Sequence, residues 1–453
     1  MSFDLLIWGA DVVFPHKVEK LAIAINEGKI VEISPSIHGS AKQEIEAVGR
    51  FVLPGLIDVH VHFNDPGRAE WEGIPSGSKA LATGGGVCFF DMPLNASPPT
   101  LDGASFDRKA RAAKGCSYTD YAFWGGMVPG NRKGMAELAK RGVIGFKAFL
   151  SESGMDDFPR SDNQTLKEGM KLAALLDLPV AVHAEDEKMT SILAAQARAE
   201  GRIGLLDFFH SRPAKAEVTA IEKAIDLAGE TACRLHIVHV SHPVGVEAVM
   251  KGKAMGVDVS CETCPHYLVL DEQEAQSIGA AAKCAPPLRD REAVEKLWEM
   301  LQSGHMDWVA SDHSASGPEL KRGQDFFQIW GGISGCQSTL PLLFSEGYQK
   351  RGLDLSLLSR LLATHSAEKF RLAGKGRIAI GNDADLVIVN PRTARPLRAS
   401  DLQYRHPITP YIGYPIHGLV EHTLLRGKPA SQPVGQLLRP TPIPFQLCPW
   451  GKD

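Results

Sequence analysis

A chain of 453 residues, 44% apolar and 23% charged with a formal net charge of −4, can build a barrel-sized core plus an accessory domain. Its near-neutral balance argues against nucleic acid or a membrane surface as partner, and no apolar run approaches the ~20 residues that span a bilayer. The opening Met1-Ser2-Phe3-Asp4 lacks the pattern of a secretory signal, and eight scattered cysteines fit reduced thiols, so a cytoplasmic location is expected.

From the N-terminus, residues 5–8, 20–25 and 29–33 read as short strands, with Asn26-Glu27-Gly28 as the hairpin turn between the last two. Apolar strand candidates then recur at 56–63, 87–92, 121–127, 145–150, 179–183, 235–240, 257–262 and 307–311. Helical spacing occupies 164–176, 214–227, 243–255 and 291–301 between them. Eight buried-type strands alternating with helices predict an α/β fold, a (β/α)8 TIM-like barrel. Strand character returns after Leu372, at 386–389 behind the turn Gly381-Asn382-Asp383-Ala384-Asp385, and at 421–425. The two β-rich ends predict one small β-sandwich domain. Residues 1–53 are its N-terminal part, 54–371 the barrel, and 372–453 its C-terminal part plus a Pro-rich tail at 439–449.

Active sites of such barrels lie at the carboxyl ends of the strands. Strand one ends on His60-Val61-His62, whose alternation aims both imidazoles to one face, with Asp58 placed to orient them. Strand four carries Lys147, strand five ends at His183, strand six at His239 and strand eight at Asp312. Singly, each has a structural alternative: strand-end histidines are more often hydrogen-bonded than ligating, and a lysine can snorkel. Six at corresponding ends point to one site. Burial in an apolar strand disfavours the Lys147 cation. A neutral amine reacts with carbon dioxide to a carbamate, an anionic ligand able to bridge two metals. His60, His62 and Asp312 would then serve one metal, and His183 and His239 the other. Cys261-x-x-Cys264 lacks a second such pair and a helix N-terminus to acidify a thiol, and reads as two inert thiols.

These residues resemble the cyclic amidohydrolases of the amidohydrolase superfamily. The resemblance runs from Pro54-Gly55-Leu56-Ile57-Asp58-Val59-His60-Val61-His62 to Gly381-Asn382-Asp383-Ala384-Asp385-Leu386. It includes Glu262-Thr263-Cys264-Pro265-His266-Tyr267-Leu268, Cys284-Ala285-Pro286-Pro287-Leu288-Arg289 and Ser311-Asp312-His313-Ser314. It implies a metal-dependent hydrolase with two divalent ions, commonly zinc, on His60, His62, carboxylated Lys147, His183, His239 and Asp312. A bridging hydroxide would be the nucleophile, Asp312 the base and then the acid, and the assembly a homotetramer.

Within that family, dihydroorotases place an Arg just after the His-x-His-Phe, where Asn64 stands here. Hydantoinases and dihydropyrimidinases place a Tyr five residues after the metal-bridging Lys, where Glu152 stands here. Phe63-Asn64-Asp65-Pro66-Gly67-Arg68 and Phe90-Asp91-Met92-Pro93-Leu94-Asn95 resemble the loops of the allantoinase branch. Asn95 would hydrogen-bond a neutral ring or ureido group, or else cap its own loop. The expected reaction is hydrolysis of the cyclic amide of allantoin to allantoate, in purine and ureide catabolism. A hydantoinase or dihydropyrimidinase activity is the runner-up. A catalytically silent scaffold is the alternative of another class, although silent relatives usually lose metal ligands and all six are here.

Overall fold

The structure is a computed structural model and describes residues 2–441. Its barrel starts from Leu56–His62, in which every residue is buried, as befits a strand covered on both faces. This strand pairs in parallel with Gly86–Asp91, which pairs with Asp120–Phe123. The chain continues through Trp124 into Gly125–Gly126, and the ladder then runs in parallel through Phe146–Phe149, Val180–His183, Leu235–Ile237, Val259–Thr263 and Trp308–Val309. His313–Ser314, just beyond Trp308–Val309, pairs with Leu56–His62 and closes the ring. The (β/α)8 prediction therefore holds, with two of its strands broken. At the first break the buried Trp124 indole donates to the Val59 carbonyl (2.9 Å) across the ring. At the second, residues 310–312 separate Trp308–Val309 from His313–Ser314, and Asp312 takes φ 45°, a left-handed conformation that interrupts the extended chain.

The predicted helices appear as Asn163–Leu175, Ala214–Thr231, Pro243–Ala254 and Arg291–Gln302. Asp162 and Asp290 start two of them by accepting from the backbone amides of Thr165 and Ala293 (both 2.8 Å).

Both ends of the chain share one sheet, in the order Lys428–Pro429, Pro415–Leu425, Leu386–Pro396, Phe51–Pro54, Ser2–Val13, Val18–Asn26 and Lys29–Ser34. Ser40–Glu46 pairs alongside Ser2–Val13. Several of these strands exceed their predicted lengths. Gly9 (φ 75°) produces an irregularity between Ile7 and Ala10, so one strand runs on through a residue that reads as a break. Ser40–Glu46 escapes prediction because it is a polar, largely exposed strand with little apolar alternation. Phe51–Pro54 leads almost directly into the first barrel strand. Lys375 fastens the units further, its ammonium lying 2.6 Å from both Asp120 at the start of the third barrel strand and Asp385 before Leu386–Pro396. Residues 442–449 of the predicted Pro-rich tail lie outside the described residues.

Candidate metal centre

Strand one presents His60 and His62 on one face, and both reach Asp312, at the break in strand eight. The Nε2 atoms of His60 and His62 lie 3.1 and 3.4 Å from Asp312 Oδ1. Among the described residues these three form a group whose ligand atoms all lie within 4.8 Å of one another. Beside them, His183 Nδ1 faces His239 Nε2 at 3.1 Å. The His60 and His239 rings are 5.4 Å apart, so the two groups adjoin. Lys147 on strand four is fully buried, and its amine has no hydrogen-bond partner among the described residues. Asp312 and His239, like Asn64 and Asn95, have φ between 40° and 67°. Strained left-handed residues here turn the chain abruptly where the strands end.

Burial pushes the Lys147 amine down to about 7, so it is available in its neutral form near neutrality. Burial likewise lowers His62, His183 and His239, which favours neutral imidazoles, the form that ligates. Burial opposes ionisation of Asp312, but His60 and His62 hold it well below the usual carboxylate range. The unpartnered Lys147 Nζ, His62 Nδ1 and His239 Nδ1 leave buried polar atoms without the bonds such atoms require. Four imidazoles, one carboxylate and an amine convertible to a carbamate are donors suited to two divalent ions of zinc type.

Two buried carboxylates support the histidines. Glu262 on Val259–Thr263 lies 2.5 Å from His60 Nδ1 and accepts from the Trp308 indole at 2.9 Å. Glu185 lies 2.8 Å from His183 Nε2 and pairs with Arg212. Burial opposes its charge, but Arg212 and His183 hold it down to about 2. Sequence reading assigned neither role, although both acids sit in or beside apolar strands, where an unpaired carboxylate is costly. Asp58 is corrected: its carboxylate accepts from the backbone amides of His60 (3.3 Å) and Ser311 (3.1 Å), tying strand one to strand eight rather than orienting a ring. Cys264 is corrected too, since it stands at the N-terminus of the short helix Pro265–Val269, although its thiol makes no capping hydrogen bond. Burial nevertheless pushes its thiol well above the ordinary value, so an inert thiol remains the reading.

The cluster opens into a cavity of about 360 Å³. Asn95 lines it, with its amide 3.5 Å from Ser314 Oγ, whereas Asn64 donates to the Ala315 carbonyl at 3.2 Å. Glu152 is exposed at the cavity wall, 3.6 Å from Arg160.

Residues 51–428 match the amidohydrolase family model. The chain belongs to the amidohydrolase family. This amidohydrolase is 51% identical to allantoinase of Rubrobacter xylanophilus, over 97% of its own length and 98% of that protein. It is 49% identical to allantoinase of Solibacter usitatus, over 96% and 97%. Among solved structures, the L-hydantoinase (dihydropyrimidinase) of Arthrobacter aurescens superposes with a TM-score of 0.93 at 31% identity, over 96% and 99% of the two chains.

Proposed function

We propose that this amidohydrolase hydrolyses the hydantoin-ring amide of allantoin to allantoate. The observation that carries the reading is its likeness, at about half identity and nearly full length, to proteins named allantoinase. Asn64 and Glu152 agree with it, standing where an acidic ring and a hydantoinase-type substrate call for Arg and Tyr.

His60, His62 and Asp312 would hold one divalent ion and His183 and His239 a second, with carboxylated Lys147 serving both; the donor set favours zinc. Divalent ions held there supply Lewis acidity and lower the pKa of water toward neutrality. Asp312, kept ionised by its two histidines, accepts the proton of the attacking water and returns it to the departing ring nitrogen. Glu262 and Glu185 hold His60 and His183 in the orientation the reaction needs. Asn95 supplies a side-chain amide to the ring or its ureido group.

The proposal extends to the assembly. Of the described residues, 2–53 and 372–441 would make up the small sandwich domain beside a barrel of residues 54–371, and the chain works as a cytoplasmic homotetramer. Seven free cysteines among the described residues fit a reducing compartment, and no helix there is long and apolar enough to cross a membrane. A hydantoinase is the second reading, favoured by the superposition on the Arthrobacter enzyme. Initial rates on allantoin, hydantoin, dihydrouracil and dihydroorotate separate the two. Preference for allantoin with chelator sensitivity supports the proposal, and preference for another ring overturns the substrate while keeping the chemistry.

A further inference from the structure

The wall of the cavity beyond the histidines carries donors that the reaction does not use. Lys283 is 4% exposed and lines the cavity. Its ammonium lies 4.2 Å from the centre of the Phe208 ring and donates to the Ile329 carbonyl. No carboxylate among the described residues pairs with it, whereas Arg212, on the same wall and over the same ring, is neutralised by Glu185. One carbonyl occupies one of the three donors of an ammonium, so two remain. The Trp330 indole nitrogen, on another residue of this wall, is buried and has no partner among the described residues. Unused buried donors are costly, and when they line a cavity beside reactive groups the missing acceptor is the default expectation of a ligand. Burial and the Arg212 charge push Lys283 down to about 7, as expected of an amine that lacks an anion.

We propose that Lys283, aided by Trp330, is a specificity-determining residue that binds a carbonyl oxygen on the substituent of the cyclic amide, with the Phe208 and Phe327 rings as an apolar wall. The two rings pack edge to face with centroids 5.7 Å apart. The substrate class is thereby narrowed to rings bearing an acceptor such as a ureido carbonyl, a statement that rests on the allantoin reading. The ring is held at the histidine cluster and its tail at Lys283.

The test compares a ligand with the tail and one without it on the metal-loaded enzyme. Lys283→Met should lower kcat/KM for allantoin about 10- to 100-fold, the loss of one charge-assisted hydrogen bond. The inhibition constant of unsubstituted hydantoin against allantoin should stay within about 2-fold, because that ring has no tail to lose. Lys283→Gln, which keeps a donor for Ile329, should give the same selective loss and serves if the Met variant does not fold. Lys321→Met controls for loop tethering. Lys321 holds the Trp330 and Gly332 carbonyls (3.1 and 2.7 Å) but does not line the cavity, so its loss should not change the ratio of the two constants. Equal weakening of both ligands, no weakening, or a selective loss in Lys321→Met overturns the inference. A wild type silent on allantoin overturns the substrate reading and this inference together; an active wild type with an unselective variant overturns only the inference.

Discussion

Glu262 Oε1 lies 2.5 Å from His60 Nδ1, bridging strands one and seven across 202 residues of sequence. With the Nδ1 proton shared toward this carboxylate, the lone pair of His60 falls on Nε2, the atom that faces Asp312. Burial opposes a charge at Glu262, but His60 and His236 hold it well below the ordinary range. Glu262→Gln should therefore weaken zinc binding about 10- to 100-fold. Titration of the apoprotein with zinc against a competing chelator measures this, and wild-type affinity in the variant would remove Glu262 from the metal's support.

Asp312→Asn keeps the size of the side chain and removes its basicity. Turnover of allantoin should fall about 10²- to 10⁴-fold, the range of general acid–base catalysis. The circular dichroism spectrum should match wild type, since Asp312 packs at the strand ends and not in the apolar core. Near-normal turnover in a metal-loaded variant would place the proton transfer elsewhere.

Lys147 gives a pH dependence whose sign follows from burial. Its folded value of about 7 lies below its ordinary 10.5. Between these values the folded apoprotein holds a neutral amine where the unfolded chain holds an ammonium, so the contribution of Lys147 to stability rises with pH across that window. Below 7 both states are charged and burial weighs against the fold. Carbamate formation needs the neutral amine, of which about tenfold less is present at pH 6 than at pH 8. Reactivation of apoprotein by zinc at fixed dissolved carbon dioxide should be slower at pH 6 by about that factor. Equal rates at the two values would argue against Lys147 as the group that is carboxylated.

The barrel and the convergence of His60, His62 and Asp312 were legible in the sequence because both follow from periodicity. Apolar runs mark the strands, and the one-sided active-site rule places their ends together. Glu262 was not assigned its role because a carboxylate's partner across strands is set by ring closure, which no local pattern encodes; Glu185 stands only two residues from His183, but its burial against Arg212 is set by the fold. Asp58 misled for the complementary reason. Its nearness to His60 in sequence suggested the ring, yet its carboxylate meets backbone amides. Ser40–Glu46 was silent because its exposed polar side chains lack the alternation that reveals a strand.

Below the centre, Lys109 tests how a buried ion pair supports strand one. Its ammonium sits 2.5 Å from Asp91 Oδ2 and donates to the Met92 carbonyl at 2.8 Å, while Asp91 Oδ1 accepts from the Phe63 amide at 2.8 Å. Both side chains are buried, so removing one partner strands the other's charge. Lys109→Met should cost about 3–5 kcal/mol of stability, the usual result of breaking such a pair. The matched double variant, Lys109→Met with Asp91→Asn, should recover part of that loss, because no charge is left unpaired and an amide oxygen can still accept from Phe63. Denaturant midpoints of the metal-loaded proteins read both effects. A single variant as stable as wild type would show that the pair is not what holds the end of strand one.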